Sequence, residues 1–159
     1  TEAMTSVVVE LARSALPPPG SALPRPFAAV LCVNGHGGNL DALDTAVRVL
    51  RGEGRRVAAW HPRVEGGDPH AGRTETSLML HLHPGRVRME LAEPGSTARF
   101  SEIADVLADD GLAAVTASGI LGDPTDASAA HGEELFEDLC RDLEAAATRL
   151  CAPEAPRGA

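Results

Sequence analysis

The segment from residue 27 to residue 39 constrains the fold more than any other part of this chain. It begins with a continuous apolar run, Phe27 to Val33, and such a run between chain-breaking residues is typical of a buried strand in a parallel sheet. The sequence NGHGGN follows at residues 34–39, and an amphipathic helix pattern begins at Asn39 or Leu40. The segment therefore predicts a strand, a glycine-rich loop and a helix, and open α/β sheets bind ligands at such strand ends.

Helices and strands alternate along the rest of the chain. Helical patterns cover residues 1–16, 40–51, 76–83, 101–108 and about 123–150, and strand patterns cover 27–33, 56–60, 111–117 and, as a strand or edge segment, 87–91. Asp123 and Pro124 have the form of a helix start, with the aspartate as N-cap and the proline in the first turn. The pattern predicts an α/β protein whose largely parallel sheet is flanked by helices.

Size, charge and cysteine content exclude several classes of protein. A chain of 159 residues corresponds to one domain. The net charge of -9 argues against a nucleic-acid partner, which requires a basic face. No apolar run approaches the roughly 20 residues that span a bilayer, so no membrane association is expected. Three cysteines without CxxC spacing suit a reducing compartment and predict a cytoplasmic protein.

The two ends of the chain carry predictions of their own. The chain begins at Thr1, already inside a helical pattern, and this start is typical of a fragment whose upstream residues have been removed or lie on another chain. We therefore expect residues 1–151 to form the C-terminal part of a single domain. Residues 152–159 are rich in Pro, Gly and Ala and are expected to form a flexible tail.

The loop at residues 34–39 is the first candidate site. An imidazole at a strand end is a good ligand for Zn, Fe or Mn, which makes His36 a candidate metal ligand. Gly37 and Gly38 permit close approach of a substrate and expose amides at a helix N-terminus, and with Asn39 they are candidate substrate-binding residues. A phosphate loop is disfavoured because GxxxxGK[ST] and GxGxxG are absent. A turn whose histidine is merely exposed remains the alternative.

The second candidate site is the sequence DPHAGRTETS at residues 68–77. His70 and Glu75 are five residues apart across a loop-to-helix junction, so both side chains can point into one cavity. A histidine there can act as general acid or base, and a carboxylate can complete a metal site. The alternative for Glu75 is a helix N-terminal residue that the helix dipole favours.

A third candidate is the glycine-rich turn over residues 118–125. Ser118 and Gly119 are candidate substrate-binding residues, because the C-terminal ends of parallel strands share one edge of a sheet. A plain connection between a strand and a helix is the simpler interpretation of this turn. The other histidines, His61, His81, His83 and His131, have no comparable sequence context, and His81 and His83 are expected at the surface.

Taken together, the order and separation of these motifs resemble those of the creatininase family, a group of metal-dependent amidohydrolases. NGHGGN is similar to the metal-histidine loop of that family, DPHAGRTETSLML to its second signature, and GILGDPTDASAAHG to its third block. The likeness extends over nearly all 159 residues. Within the family it is strongest to members that trim a modified precursor peptide during the biosynthesis of a redox cofactor.

The resemblance implies roles for individual residues. His36 and Glu75 correspond to metal ligands of the family, and His70 corresponds to the histidine that carries a proton. Creatininase itself has Tyr-Glu where this chain has Gly37-Gly38, so one glutamate ligand is absent and a different substrate is implied. The family also draws a Glu, a His and an Asp from an N-terminal segment, and nothing before His36 supplies them, so that segment is an expected partner.

The activity that the resemblance implies is hydrolysis of an amide bond. It implies a three-layer creatininase-like fold and divalent metal ions, Fe, Zn or Mn, with two per site in the intact protein. The implied substrate is the modified precursor peptide, from which a C-terminal Val-Tyr-derived dipeptide is released, and the implied assembly is a homo-oligomer. A deformylase or cyclic amide hydrolase of the same family is the alternative, and a non-catalytic α/β binding module is the alternative from another class.

Overall fold

The computed structural model describes residues 1–24 and 26–153, and these residues form five α-helices and two β-strands. In chain order the elements are α1 (Glu2–Ala15), β1 (Val30–Val33), α2 (Leu40–Gly52), β2 (Val57–Trp60), α3 (Arg73–Leu82), α4 (Phe100–Asp109) and α5 (Ala129–Cys151). The chain divides into two compact units. The first unit is Thr1–Pro62 with the described residues from Arg141, and the second is Arg63–Cys140. Most of the predicted tail, residues 154–159, lies outside the described part of the chain.

The first unit is built on a parallel β1–α2–β2 crossover. Val30 pairs with Val57 and Val33 pairs with Trp60, so the strand ends lie side by side. Helices α1 and α2 cover the strands because their apolar residues recur at helical spacing. The core consists of Val9, Ala12, Leu16, Ala46, Leu50 and Val57. The predicted strand, loop and helix are confirmed, although the strand begins at Val30 and not at Phe27.

A cluster of charges fixes the turn between α2 and β2. Glu53 follows α2 and accepts hydrogen bonds from Arg13 of α1 and from Arg55, the latter at 2.8 Å. The hydrogen bonds from Arg13 and then Arg55 lower the pKa of Glu53 to about 2. The Arg13–Glu53 pair is partly exposed to solvent, so its contribution to stability is small, and its effect is to hold the chain as it enters β2.

The second unit contains α3, α4 and the first part of α5. Helix α5 crosses α3 at Gly132, which lies against the backbone carbonyl of Ser77. The Ser77 side chain is fully buried, and its hydroxyl oxygen accepts a hydrogen bond from the Ser128 amide at 3.2 Å. The rings of His81 and Phe136 lie 5.7 Å apart on the same two helices. His81 is therefore half-buried, and its predicted surface position is wrong, whereas His83 is exposed as expected.

Two predicted strands are not formed. Residues 112–114 form a single 3-10 turn in place of the strand predicted at 111–117, and residues 89–91 form another in the segment 87–91. Gly111 has a φ of 80°, a conformation that glycine adopts readily. It turns the chain immediately before the 3-10 turn and so prevents an extended strand from starting there. The sheet within the described residues therefore has two strands, both parallel, and the α/β class is confirmed.

The start of the last helix also differs from the prediction. Helix α5 begins at Ala129, not at Asp123, because the Asp123 carboxylate accepts the Thr125 amide at 2.9 Å and so closes a local turn. Ser128 supplies the cap instead, since its hydroxyl accepts the amide of His131 at 3.2 Å. Helix α3 begins at Arg73, three residues before the predicted start.

The cysteines are free thiols, and burial raises the pKa of Cys32 in β1. Cys32 therefore has the inert character of a small core residue. None of the helices in the described ranges is both long enough and apolar enough to span a bilayer.

The close approach of α3 and α5 predicts the effect of a single methyl group. In a Gly132→Ala variant the added carbon would clash with the Ser77 carbonyl, which is backbone and cannot rotate away. We expect the free energy of unfolding to fall by about 1–3 kcal/mol in urea denaturation. Gly52→Ala is the matched control, because nothing lies within 4 Å of that helical glycine. Equal stability of the two variants would contradict the contact.

Candidate active site

The loop after β1 is organised by one buried amide side chain. Asn34 is 5% exposed, and its Nδ2 donates a hydrogen bond to the His36 carbonyl at 2.9 Å. Its Oδ1 accepts a hydrogen bond from Asn39 Nδ2 at 3.0 Å. Asn34 therefore joins both ends of the NGHGGN loop, and a polar residue is stable at this buried position because its donors and acceptor are paired.

The same amide holds a histidine that the sequence analysis did not select. Asn34 Nδ2 lies 3.0 Å from His61 Nδ1. An NH₂ group can only donate, so Nδ1 accepts and the neutral His61 ring carries its proton on Nε2. The strand register is the signal that would have found this contact: Val33 pairs with Trp60, so Asn34 and His61 are the first residues beyond the two strands.

His36 is exposed at the tip of the loop and caps the turn that follows. Its Nδ1 accepts the amide hydrogen of Gly38 at 3.1 Å. A Cβ at position 38 would lie 3.0 Å from two atoms of the His36 ring, so glycine permits this arrangement. A metal at Nδ1 would displace the Gly38 amide, and a metal at Nε2 would require the proton to move to Nδ1, which then faces that amide. Metal binding at His36 therefore needs the cap to open.

In the second unit, the Asp68 carboxylate caps the N-terminus of α3. Its Oδ1 accepts the Thr74 amide at 2.9 Å and its Oδ2 accepts the Arg73 amide. Gly72 and Gly122 lie so close to this carboxylate that a Cβ at either position would clash with it. Burial raises the pKa of Asp68, but the hydrogen bonds from Thr74 and Arg73 outweigh that effect and lower it from 3.8. This role is not evident from the sequence, because Asp68 lies five residues before the helix.

The structure brings His70 and Glu75 together at the start of α3. His70 Nδ1 lies 3.7 Å from Glu75 Oε2, and both side chains are about half exposed. The Ala71 amide between them donates to the same Oε2 at 2.5 Å, and Ala71 has a φ of 51°. A left-handed alanine costs roughly 1 kcal/mol, so the surrounding contacts hold the backbone in this conformation.

The third motif reaches the second through backbone pairing. The His70 and Leu121 backbones exchange hydrogen bonds at 2.8 and 3.3 Å, and Leu121 is 2% exposed. Ser118 and Gly119 form the turn just before this bridge, where Gly119 has a φ of 84° and the Ser118 hydroxyl accepts the Ile120 amide at 3.4 Å. The turn is therefore attached to the His70 segment, and not to the end of a strand as predicted.

The donors fit a transition-metal site in kind but not in number. His36 belongs to the first unit, and His70 and Glu75 belong to the second. Imidazole and carboxylate groups suit Zn, Fe or Mn. Across residues 1–24 and 26–153, no group of three or more His, Cys, Asp or Glu side chains is placed to hold a metal ion. The described residues do not complete a metal site.

Comparison with known proteins gives consistent matches. A family model described as "Creatininase: Creatinine amidohydrolase" matches residues 2–147. A Mycobacterium tuberculosis protein named "Mycofactocin precursor peptide peptidase" is 46% identical over 143 residues, which cover 89% of this chain and 53% of that protein. A Mycolicibacterium smegmatis protein of the same name is 43% identical over 140 residues, which cover 87% of this chain and 53% of that protein. The chain spans about half the length of the curated relatives it matches.

Solved structures give the same fold. The crystal structure of a creatinine amidohydrolase (creatininase) has a TM-score of 0.66 and 25% identity, and the match covers 96% of this chain and 63% of that one. A mutant creatininase described as "Zn-Zn type" has a TM-score of 0.63 and 25% identity, and the match covers 95% of this chain and 63% of that one. The predicted creatininase-like α/β fold is confirmed.

The Asp68 cap predicts a stability that depends on pH. At pH 7, Asp68→Ala should lower the free energy of unfolding by about 1–2 kcal/mol, because two helix amides lose their acceptor. Since the pKa of Asp68 is lower in the folded protein, its contribution is complete above 3.8 and is lost as the pH falls through the folded value. Urea denaturation across this range measures the difference. Asp105→Ala, at an exposed carboxylate of α4, is the control, and an equal or pH-independent loss in both variants contradicts the prediction.

The Asn34 contact predicts a histidine tautomer. Long-range ¹H–¹⁵N spectra of the neutral rings should show the His61 proton on Nε2 in the wild type. In an Asn34→Asp variant the side chain can only accept, so the proton should move to His61 Nδ1. The His36 tautomer should not change, because the Gly38 amide sets it, and it serves as the internal control. A wild-type His61 protonated on Nδ1 would show that the Asn34 contact is absent.

Proposed function

Because the chain belongs to the creatininase family, we propose that the protein hydrolyses amide bonds and that its substrate is a peptide. The observation that carries the proposal is the His70–Glu75 pair at the start of α3, with 3.7 Å between nitrogen and oxygen. An exposed imidazole beside a carboxylate is a common arrangement for proton transfer. The peptide substrate is supported by the names of the two mycobacterial relatives.

His70 is the proposed proton carrier. Its backbone is fixed on both sides by Leu121, while its ring stays about half exposed and accessible to a substrate. When the amide C–N bond breaks, water supplies a hydroxyl to the acyl carbon and a proton to the leaving nitrogen. An imidazole exchanges protons readily at neutral pH, so His70 suits the transfer to the amine.

His36 and Glu75 are the proposed ligands of divalent metal ions, which we take to be Zn, Fe or Mn, with two per site. The relative named "Zn-Zn type" and the donor chemistry support this assignment. A bound metal of this kind supplies Lewis acidity and an acidic water. His36 must first release the Gly38 amide, whereas Glu75 can offer Oε1 to a metal while Oε2 keeps the Ala71 amide. We propose that an N-terminal segment, on the same or a separate chain, supplies the remaining ligands.

The proposed substrate is the modified mycofactocin precursor peptide, with release of its C-terminal Val-Tyr-derived dipeptide. Gly37, Gly38 and Asn39 of the first unit and Ser118 and Gly119 of the second are the proposed substrate-binding residues. In both loops the exposed backbone offers amide hydrogens that suit a peptide carbonyl or oxyanion. We further propose a cytoplasmic homo-oligomer, which the free thiols and the exposed apolar residues Val7 and Leu11 support.

Metal content and turnover together test these roles. In the intact protein, His36→Ala and Glu75→Ala should lower the metal bound per protomer, measured by inductively coupled plasma mass spectrometry. His70→Ala should keep the metal and lose about 10²–10⁴-fold in the rate of peptide cleavage, because it removes a proton carrier only. The control is His83→Ala, an exposed histidine after α3.

Three outcomes would overturn the proposal in different ways. Wild-type protein that holds no metal and cleaves neither the peptide nor a small amide favours the non-catalytic binding module. Turnover of a formamide or a lactam, but not of the peptide, favours the deformylase or cyclic amide hydrolase. Full peptide turnover in His70→Ala removes that residue from its role.

A further inference from the structure

The second unit contains a cavity of about 420 Å³ beside α3, to which the proposed function assigns no role. One side is formed by Ala71 and by residues of α3, and the other by the segment that follows the helix. The lining residues are Ala71, Glu75, Thr76, Met79, Arg86, Val87, Arg88 and Leu91. We refer to it as the α3 cavity, and its volume lies in the range of about 300–1,000 Å³ typical of small-ligand sites.

The charge of the α3 cavity differs from that of the whole chain. Two arginines and one glutamate line it, in a chain whose net charge is -9. Within the described residues, neither the Arg86 nor the Arg88 side chain forms a hydrogen bond or an ion pair, and both residues are exposed. A guanidinium presents a planar set of donors that matches a carboxylate. An anionic group is therefore the ligand that this wall favours.

The rest of the wall is apolar and open to solvent. Met79 is 38% exposed and Leu91 is 59% exposed, and both line the α3 cavity with Val87. An accessible apolar wall next to two cations matches a ligand that carries a carboxylate and a hydrophobic side chain. The C-terminal residue of a peptide has both groups on one carbon atom.

We propose that the α3 cavity binds the C-terminal residue of the peptide substrate. Arg86 and Arg88 take the terminal carboxylate, and Met79 and Leu91 contact the side chain. This inference rests on the proposed function, and it deepens it: Glu75, the proposed metal ligand, lines the same cavity, so a bound C-terminus lies on the same wall as the proposed chemistry. The protein is then selective for peptides with a free C-terminal acid and an apolar last residue.

Binding measurements test the proposal without requiring turnover. Isothermal titration calorimetry on the intact protein compares the dipeptide Val-Tyr as free acid with its C-terminal amide. The wild type should bind the acid at least about 10-fold more tightly, because the amide lacks the charge that the guanidinium groups recognise. The double variant Arg86→Ala/Arg88→Ala should lose about 10–100-fold for the acid and keep its affinity for the amide.

Matched variants separate recognition from folding. Arg63→Ala, at an exposed arginine of the same unit that does not line the cavity, should bind like the wild type. Arg86→Lys/Arg88→Lys keeps the charge without the planar donors, and should retain part of the preference for the acid even if the alanine variant does not fold. Met79→Ala should weaken Val-Tyr and leave Val-Gly unchanged.

The outcomes distinguish this inference from the proposed function. Equal binding of acid and amide by the wild type, or wild-type affinity in both double variants, overturns the assignment of the α3 cavity. If the rate of peptide cleavage is the same for acid and amide substrates and is unchanged in the arginine variants, the proposed function stands and this inference is overturned. Tight, arginine-dependent binding of the acid without cleavage of any peptide supports the carboxylate site and overturns the proposed function.

Discussion

The contact between the Asp68 carboxylate and the first amides of α3 determines where the candidate chemistry of the second unit lies. Those amides have no partner within the helix, and Asp68 satisfies two of them from outside. Gly72 and Gly122 have no side chains, which lets the carboxylate approach the backbone. The left-handed turn at Ala71 and the His70–Glu75 pair lie in the short segment whose ends this cap holds together. The two glycines permit the cap, and the cap fixes the backbone next to the His70–Glu75 pair.

A different side chain performs the equivalent task in the first unit. Asn34 directly follows β1, where its backbone N–H donates to the Trp60 carbonyl at 2.9 Å. Its side-chain amide pairs with the His36 carbonyl, Asn39 and His61. Both units thus position a histidine indirectly, through a short polar side chain that is more buried than the histidine itself. The exposed imidazole rings remain available for chemistry, and the partly or fully buried Asp68 and Asn34 provide the rigidity.

Features that depend on neighbouring residues were predicted from the sequence, and features that depend on residues from other elements were not. The helices α1, α2 and α4 were predicted to within two residues, because apolar spacing and flanking breakers are local signals. The strand predicted at residues 111–117 was wrong. The apolar run alone resembles a strand, but Gly111 turns the chain just before it. The His70–Glu75 pair was predicted from spacing, whereas Asp68 and His61 were missed. Their partners are set by a cap across five residues and by strand register, and neither appears as a pattern within a single element.

The glycine at position 38 connects the geometry of the loop with its chemistry. The His36 ring folds back onto the amide of residue 38, and a Cβ there would lie 3.0 Å from the ring, tighter than ordinary van der Waals contact. A side chain at this position, such as the glutamate that the resemblance gives for creatininase itself, therefore requires the His36 ring to move by a few tenths of an ångström. With glycine at position 38, the His36 ring lies against the backbone amide of that residue, which would compete with a metal for Nδ1. For this loop, the capping of Gly38 and the proposed binding of a metal are therefore alternative uses of the same imidazole.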